Sequence, residues 1–277
     1  MSSIEHNPLK QYFRRPSIYI KLPTQGKGYT PDVLVMSETG ELPVFPMTAI
    51  DEITSKTPDA LYNGSAVAEI IRSCVPNILD PWRLSSVDLD AILVAIKIAT
   101  NGNDMDLDTT CPSCNEDSKF GLNLSFVLNN FAPGNYDQPL MINELRIKFR
   151  PLSYKELTSS TAKQLEIQRA FLTLNAMDEG PEREARSTEL LKIIGDSTIE
   201  VLVNVIEYIA TPEIVVNEKA YIKDFLVNTD KRTFESIRET SIKLRETTQI
   251  KPLHIQCTHC KHEYDQPFTL NISDFFE

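Results

Sequence analysis

Two short cysteine motifs, far apart in the sequence, constrain the fold more than any other feature. The chain contains the pairs Cys111/Cys114 and Cys257/Cys260, each with the spacing CxxC. Two thiolates from one tight turn supply half of the ligands of a tetrahedral Zn²⁺ site, so two such turns complete one site. We therefore predict that these four cysteines hold one structural Zn²⁺, with both ends of the intervening segment 115–256 lying together.

The sequences that follow the two pairs are also similar. Residues 120–125 read FGLNLS, and residues 268–273 read FTLNIS. A CxxC turn that leads into an alternating strand is typical of half a zinc ribbon, although the separation between the pairs is much longer than usual. We expect a split four-cysteine zinc ribbon with a long, mostly helical insertion between its two halves.

Other interpretations of the cysteines remain open. CxxC pairs also occur as redox-active dithiols, usually at a helix N-terminus that lowers the thiol pKa, and the pairs are also compatible with reduced buried thiols. His254, His259 and His262 surround the second pair, and one of them is an alternative ligand to a thiolate. Cys74 is alone in a helical stretch, so we expect it to be a small buried hydrophobic residue.

Composition and charge argue against several classes of function. The 277 residues carry a net charge of −11, and a broad nucleic-acid-binding face would need a positive field. No apolar run approaches the roughly 18 residues of a membrane span, and the first residues lack the apolar core of a signal peptide. We therefore expect a cytosolic protein, and the reducing conditions of that compartment favour metal binding by the cysteine pairs over disulfides.

The first part of the chain predicts a small α+β body with strands and capped helices. A strand is predicted at 17–22, and strands at 33–36 and 41–45 are predicted to pair as a hairpin. Pro43 places the last strand at a sheet edge, where Val44 and Phe45 are candidate docking residues. Helix caps predict helices at 48–55, 58–74 and 86–100. The last of these is apolar nearly all round and should form the centre of the core.

The chain after residue 150 is predicted to be mainly helical. A hairpin about Asn143 and Glu144 comes first, and the capping box Ser153/Glu156 then marks a helix start. Helices are predicted at 153–177, 183–209, 217–227 and 230–248, with breaks at 178–181, 195–196 and 211–212. The predicted divisions are an N-terminal tail at 1–16, an α+β body at 17–150 with 251–277, and a helical insertion subdomain at 151–250.

Patterns of catalytic residues are few. The sequence contains no GxSxG elbow, HExxH helix, Walker phosphate loop or dinucleotide-binding glycine run. Four thiolates fill the coordination shell of zinc, so we expect a structural ion and a protein that is not an enzyme. Asp104, Asp106 and Asp108 alternate before the first pair, but without the remaining residues of an EF-hand they predict a solvated strand edge.

Several motifs in the first half of the chain resemble a known family. The runs are PMTAIDE at 46–52, KTPDALYNG at 56–64, SCVPN at 73–77 and DAILVAI at 90–96, ahead of the first cysteine pair. Together they resemble the baseplate hub proteins of T-even-type contractile-tailed bacteriophages. The resemblance implies a phage protein, located in the host cytoplasm during assembly or in the baseplate of the virion tail.

Three classes of function follow from these observations. The leading one is a non-enzymatic subunit or assembly chaperone of the baseplate hub. It would contact other hub or tape-measure proteins, with no nucleic acid or membrane, and its oligomeric state is open. The alternative is a nucleic-acid-binding zinc-ribbon protein, for which Lys119 and Lys261 supply the basic charge beside the pairs. A hydrolase with a zinc or carboxylate centre would need an open metal position.

Overall fold

The computed structural model describes residues 8–57 and 63–268, in which helices and short antiparallel strands are mixed. The strands are β1 (Ile18–Ile20), β2 (Leu42–Val44), β3 (Asp104–Thr110), β4 (Asp117–Asn123), β5 (Leu140–Ile142), β6 (Leu145–Phe149), β7 (Ile206–Ala210), β8 (Val215–Val216), β9 (Leu253–Gln256) and β10 (Glu263–Gln266). The α-helices are α1 (Ala49–Ser55), α2 (Ser65–Cys74), α3 (Ser86–Asn101), α4 (Leu124–Asn129), α5 (Tyr154–Asn175), α6 (Pro181–Val205), α7 (Lys219–Asn228) and α8 (Lys231–Thr248). None of these helices has the length and apolar character of a membrane span.

The chain divides into two compact units. Unit 1 comprises the residues up to 81, residues 90–130 and the residues from 250 onward, and unit 2 comprises residues 82–89 and 131–249. Both cysteine pairs therefore belong to unit 1. The helical segment between them belongs to unit 2, together with the β5–β6 hairpin.

The core of unit 1 is built around α3, as its sequence predicts. Residues 91–96 make more than one full turn and are all buried, so the helix is covered on every side there. Helix α2 packs its buried apolar residues in the same unit and begins after Gly64, whose φ of 80° favours glycine. The predicted helix at 58–74 is thus shorter at its start, and residues 58–62 lie outside the described residues.

The predicted hairpin between 33–36 and 41–45 is wrong. Strand β2 instead pairs antiparallel with β1, with Ile18 opposite Val44 and Ile20 opposite Leu42. Val33 and Leu34 are buried, and the backbone of residues 33–35 is hydrogen-bonded to residues 77–79, so this segment is not available to β2. Val44 is fully buried, so it is not exposed for docking as expected.

The predicted helix at 183–209 is also partly wrong, because the chain changes from helix to strand at Val205. Helix α6 continues through Gly195 without the predicted break, and β7 then pairs antiparallel with β6. Buried Ile206 and Ile209 have the apolar spacing of a helix. In the strand, an irregularity in the pairing with β6 between Lys148 and Phe149 sets Ile206 opposite Phe149 and Ile209 opposite Ile147, so both reach the core. The strand forms because β6 offers its backbone hydrogen-bonding groups along this edge.

Unit 2 combines a four-stranded antiparallel sheet, in the order β5-β6-β7-β8, with four helices. The predicted hairpin about Asn143 is confirmed, with φ of 53° at Asn143 and Ile142 opposite Leu145. Ile147 and Phe149 of this hairpin pack in one core cluster with residues of α6, β7, α7 and α8. The boundary expected at residue 150 therefore lies nearer 130, because β6 pairs with a strand that the sequence pattern presents as helix.

The start of α5 is stabilised by a network centred on Glu156. The predicted capping box is confirmed: the backbone N–H of Ser153 donates to Glu156 at 2.9 Å, and the Ser153 hydroxyl accepts the Glu156 N–H. Arg150 donates to both carboxylate oxygens at 2.6 and 3.0 Å, and Lys219 lies 3.1 Å away. Burial alone would raise the pKa of Glu156, but the hydrogen bonds and charge of Arg150, with the Ser153 amide and Lys219, lower it to about 2.

We expect Glu156→Gln to destabilise unit 2 by about 2 kcal/mol at neutral pH, because it leaves a partly buried guanidinium without its carboxylate. A carboxyl group whose folded pKa is about 2 rather than the ordinary 4.5 contributes stability above the ordinary value and loses it toward the lower one. The difference between wild type and variant should therefore shrink as the pH falls from 4.5 to about 2. Hydrogen exchange of residues 150–160 in both proteins, over this pH range, measures the difference in stability.

Glu166→Gln is the matched control, since Glu166 is exposed on the same helix. A Glu156 variant that exchanges like this control at neutral pH would show that the network contributes little to the stability of unit 2.

Candidate metal centre

The two cysteine pairs occupy the turns of two hairpins with the same local geometry. Strands β3 and β4 form the first cysteine hairpin, and β9 and β10 form the second. In each, the first strand ends directly before the first cysteine, and the second strand begins three residues after the second cysteine. The sequence prediction of two equivalent CxxC turns, each leading into a strand, agrees with this arrangement.

The backbone hydrogen bonds of the two turns correspond residue by residue. The N–H of Cys111 donates to the carbonyl of Glu116 at 3.0 Å, and the N–H of Cys257 donates to the carbonyl of His262 at 2.8 Å. The residue after each second cysteine donates back to the first cysteine and has a positive φ, 57° at Asn115 and 62° at Lys261. Asn commonly adopts a positive φ, so Asn115 in the sequence indicates this turn, whereas Lys261 gives no such indication.

The four sulfurs converge on one point. The Sγ atoms of Cys111 and Cys260 are 3.7 Å apart, those of Cys114 and Cys257 are 3.8 Å apart, and all four lie within 4.8 Å of one another. Thiolates bound at about 2.3 Å to a tetrahedral ion would be about 3.8 Å apart. The spacing of the sulfurs therefore fits one metal ion held by all four cysteines.

Burial and charge at the cluster favour binding of a cation. Cys111 and Cys257 are buried, while Cys260 is exposed. The backbone N–H groups of Cys260 and His259 lower the pKa of Cys257 to about 6. The Glu116 N–H favours ionisation of Cys114, but burial and the three neighbouring thiols outweigh it and raise the pKa of Cys114 to about 12. Full ionisation of the cluster thus requires a positive charge at its centre.

The alternative interpretations of the cysteines fit the geometry less well. Both pairs lie in hairpin turns rather than at a helix N-terminus, which is the usual location of redox-active pairs. The cluster found among the described residues consists of the four cysteines alone, without a histidine or the three aspartates of β3. The imidazole of His254 instead contacts Asp265 at 3.0 Å on the neighbouring strand, and this hydrogen bond raises the pKa of His254. Cys74 is buried in α2, as expected.

The sequence prediction missed the polar contact that joins the two hairpins. The Tyr264 hydroxyl lies 3.1 Å from the hydroxyl of Thr109, which is itself buried and contacts Ser118. These residues have no motif that distinguishes them from ordinary strand residues. A second correction concerns residues 120–125, because β4 ends at Asn123, whose side chain caps α4. The similar segment after Phe268 lies outside the described residues.

The described residues thus define a protein of mixed helix and sheet with one four-cysteine centre suited to a metal ion. Comparison with known families agrees with the resemblance seen in the sequence. The model of the family described as T4 bacteriophage base plate protein matches residues 17–277, which is most of the chain, and the chain belongs to this family. No curated protein and no solved structure matches it.

We expect purified, reduced protein to contain about one metal ion per chain, and Cys257→Ser to bind almost none, because removal of one thiolate opens the tetrahedral shell. Elemental analysis after dialysis measures the ratio. In the Cys257→Ser variant, hydrogen exchange should be faster than in wild type first in the two cysteine hairpins and only later in α3, because the metal stabilises the hairpins directly.

Cys74→Ala is the matched control, since Cys74 lies outside the cluster, and it should retain the ion. Two ions per chain, or none in freshly reduced wild-type protein, would contradict a single shared site.

Proposed function

We propose that this protein is a non-enzymatic subunit or assembly chaperone of the baseplate hub, and that it acts through protein contacts. Membership of the baseplate family supports a role among other baseplate proteins, in the virion tail or during assembly in the host cytoplasm. The convergence of four sulfurs supports a structural ion, since four protein ligands leave no position for a reactive water. This observation carries the non-enzymatic part of the proposal.

We propose Zn²⁺ as the ion, in a split zinc ribbon formed by the two cysteine hairpins. Zn²⁺ binds four thiolates in a tetrahedron, and the sulfur spacing of 3.7–3.8 Å across the hairpins agrees with this geometry. When bound, the ion would supply a cross-link between the hairpins rather than a catalytic group. Cys111, Cys114, Cys257 and Cys260 would hold it.

The long separation between the two pairs is compatible with such a site on energetic grounds. Closing a loop of the length of residues 115–256 costs about 4 kcal/mol of chain entropy. Binding of structural Zn²⁺ by cysteine turns contributes on the order of 10 kcal/mol at neutral pH. The free energy of metal binding therefore exceeds the entropy of bringing the two turns together. The independent core of unit 2 reduces that entropy cost further.

Charge on the first cysteine hairpin disfavours nucleic-acid binding. Asp104, Asp106 and Asp108 are exposed on its outer face, and Asp117 lies on the same face, with Lys119 as the basic residue among them. A face with this excess of negative charge repels phosphates. A zinc ribbon that binds nucleic acid is therefore the weaker proposal.

Helix α8 is our candidate surface for baseplate partners. Ile237 on one side of the helix is fully buried in the core of unit 2, whereas Arg238 and Lys243 are exposed. Exposed charges of this kind influence partner choice and association rate more than folding, because solvent screens them in the free protein. Their substitution therefore separates binding from stability.

We expect Arg238→Glu with Lys243→Glu to reduce recovery of hub or tape-measure proteins by roughly tenfold in affinity capture from infected cells. The metal content and melting temperature should stay nearly unchanged, since each exposed charge contributes about 0–1 kcal/mol to folding. Mass spectrometry of the captured proteins gives the measurement and identifies the partners.

Lys27→Glu with Lys251→Glu provides the matched control, because both lysines are exposed in unit 1. Undiminished capture of every partner by the α8 variant would place the contacts elsewhere. Capture that contains no baseplate protein, even with wild type, would overturn the proposed hub function.

A further inference from the structure

The N-terminal arm, residues 8–15, exposes large apolar side chains. Leu9, Tyr12 and Phe13 are 60%, 77% and 57% exposed, respectively. Residues 8–12 form a single 3-10 turn without a buried residue, so the arm makes no core of its own. It also precedes the region that matches the family model, which begins at residue 17. Three large apolar side chains exposed in one short segment are a feature of contact surfaces rather than of ordinary solvated turns.

One arginine attaches the arm to unit 1. The guanidinium of Arg14 donates to the carbonyl and hydroxyl oxygens of Ser73, both at 2.7 Å, and lies 3.3 Å from the carboxylate of Asp51. It also bonds the carbonyl of Pro46 and lies over the ring of Phe45. These contacts fix the base of the arm, whereas the apolar side chains ahead of it remain exposed. The arm is therefore held in place with its apolar groups directed to solvent.

The arm is basic, although the chain as a whole is acidic. Lys10 and Arg15 are exposed, and neither forms a salt bridge with another described residue. The net charge of the chain is −11. A basic, aromatic segment of this kind is complementary to an acidic surface that offers apolar contacts, because potentials of opposite sign attract at an interface.

The first cysteine hairpin carries such a surface. Asp104, Asp106 and Asp108 alternate along β3, so they lie on one face, and all three are exposed. Asp117 and Lys119 of β4 are exposed on the same face, which therefore carries four aspartates and one lysine. Asp106 lies opposite Gly121 in the register of β3 and β4. The sheet is therefore both acidic and partly bare of side chains on this face.

An open gap and an exposed aromatic residue complete this surface. A Cβ atom added at Gly121 would meet no other atom within 4 Å, so the backbone is open to close approach. Phe126 follows β4 on α4 and is 64% exposed. Its backbone N–H donates to the side chain of Asn123, the residue opposite Asp104, so the first turn of α4 lies next to the end of the acidic row. An aromatic side chain of the arm can therefore lie over Gly121 while the basic side chains of the arm pair with the aspartates of β3.

We propose that the N-terminal arm of one copy of this protein docks on the outer face of the first cysteine hairpin of a second copy. Lys10 and Arg15 would pair with the aspartates of β3, and Tyr12 or Phe13 would contact Gly121 and Phe126. The two surfaces differ, so a single contact leaves one arm and one face free. Reciprocal docking of two copies then closes a two-fold dimer, and successive docking produces a ring or a chain. We choose a second copy as the partner because every copy carries both the basic arm and the acidic face, and these two surfaces are complementary in charge.

A charge-swap experiment tests the contact in purified, metal-loaded, full-length protein. Wild type should self-associate in sedimentation velocity over a concentration series. The arm variant Lys10→Glu with Arg15→Glu, and the face variant Asp104→Lys with Asp106→Lys, should each weaken association by at least about tenfold, because like charges then meet. An equimolar mixture of the two variants should restore association, since the acidic arm of the first variant matches the basic face of the second.

The control and the contrary outcomes keep this inference separate from the proposed hub function. Lys192→Glu with Lys223→Glu reverses the same number of exposed charges in unit 2 and should associate like wild type. A monomer at every concentration, equal weakening by the control, or failure of the mixture to associate would overturn the contact. Capture of hub proteins by a monomeric chain would overturn the contact while leaving the hub proposal intact.

Discussion

Four thiols held within 4.8 Å of one another are the constraint on which the arrangement of the cysteine hairpins depends. Ionised thiols repel one another, and protonated thiols bind no metal, so the cluster is stable as a ligand set only with a cation at its centre. The backbone meets part of this requirement. N–H groups of the turn at residues 257–261 stabilise the Cys257 thiolate, and the hydroxyls of Tyr264 and Thr109 join the hairpins without any metal.

The equivalence of the two turns explains how such distant segments form one site. Each hairpin closes its own turn by local hydrogen bonds, so each pair of sulfurs is oriented before the other hairpin contributes. Assembly of the site then requires only that two preformed halves meet, which lowers the conformational entropy lost at that step. Residues 131–249 meanwhile fold around a separate core, with Ile147, Phe149 and Ile237 at its centre. A long segment between two halves of a site is thus compatible with a well-defined metal centre.

Polar and apolar groups are distributed unusually in the N-terminal part of unit 1. Asp51 of α1 faces inward and is neutralised by Arg14, while Ile50 and Ile53 of the same helix are exposed. Exposed apolar groups cost free energy in water, and a buried carboxylate needs a partner. A helix with this inverted orientation contributes less to stability than an ordinary amphipathic helix. Its exposed face is more consistent with a protein that works by contacting others than with one that encloses a small-molecule site.

The sequence by itself determined the features that depend on local chemistry. Three sequence features each specify a local structure that is found in the protein. They are the spacing of the cysteines, the capping box at Ser153 and the continuous apolar run of α3. Tertiary structure decided the elements whose local signal is ambiguous. Ile206 and Ile209 have helical spacing, and β6 imposed the strand by offering backbone partners, with a register shift that sets them opposite Phe149 and Ile147. The segment containing Val33 and Leu34 likewise does not form the predicted hairpin, because its backbone is hydrogen-bonded to residues 77–79 instead. The conformation of such segments depends on long-range pairing, and the sequence of the segment alone does not show which neighbouring strand will supply its hydrogen-bond partners.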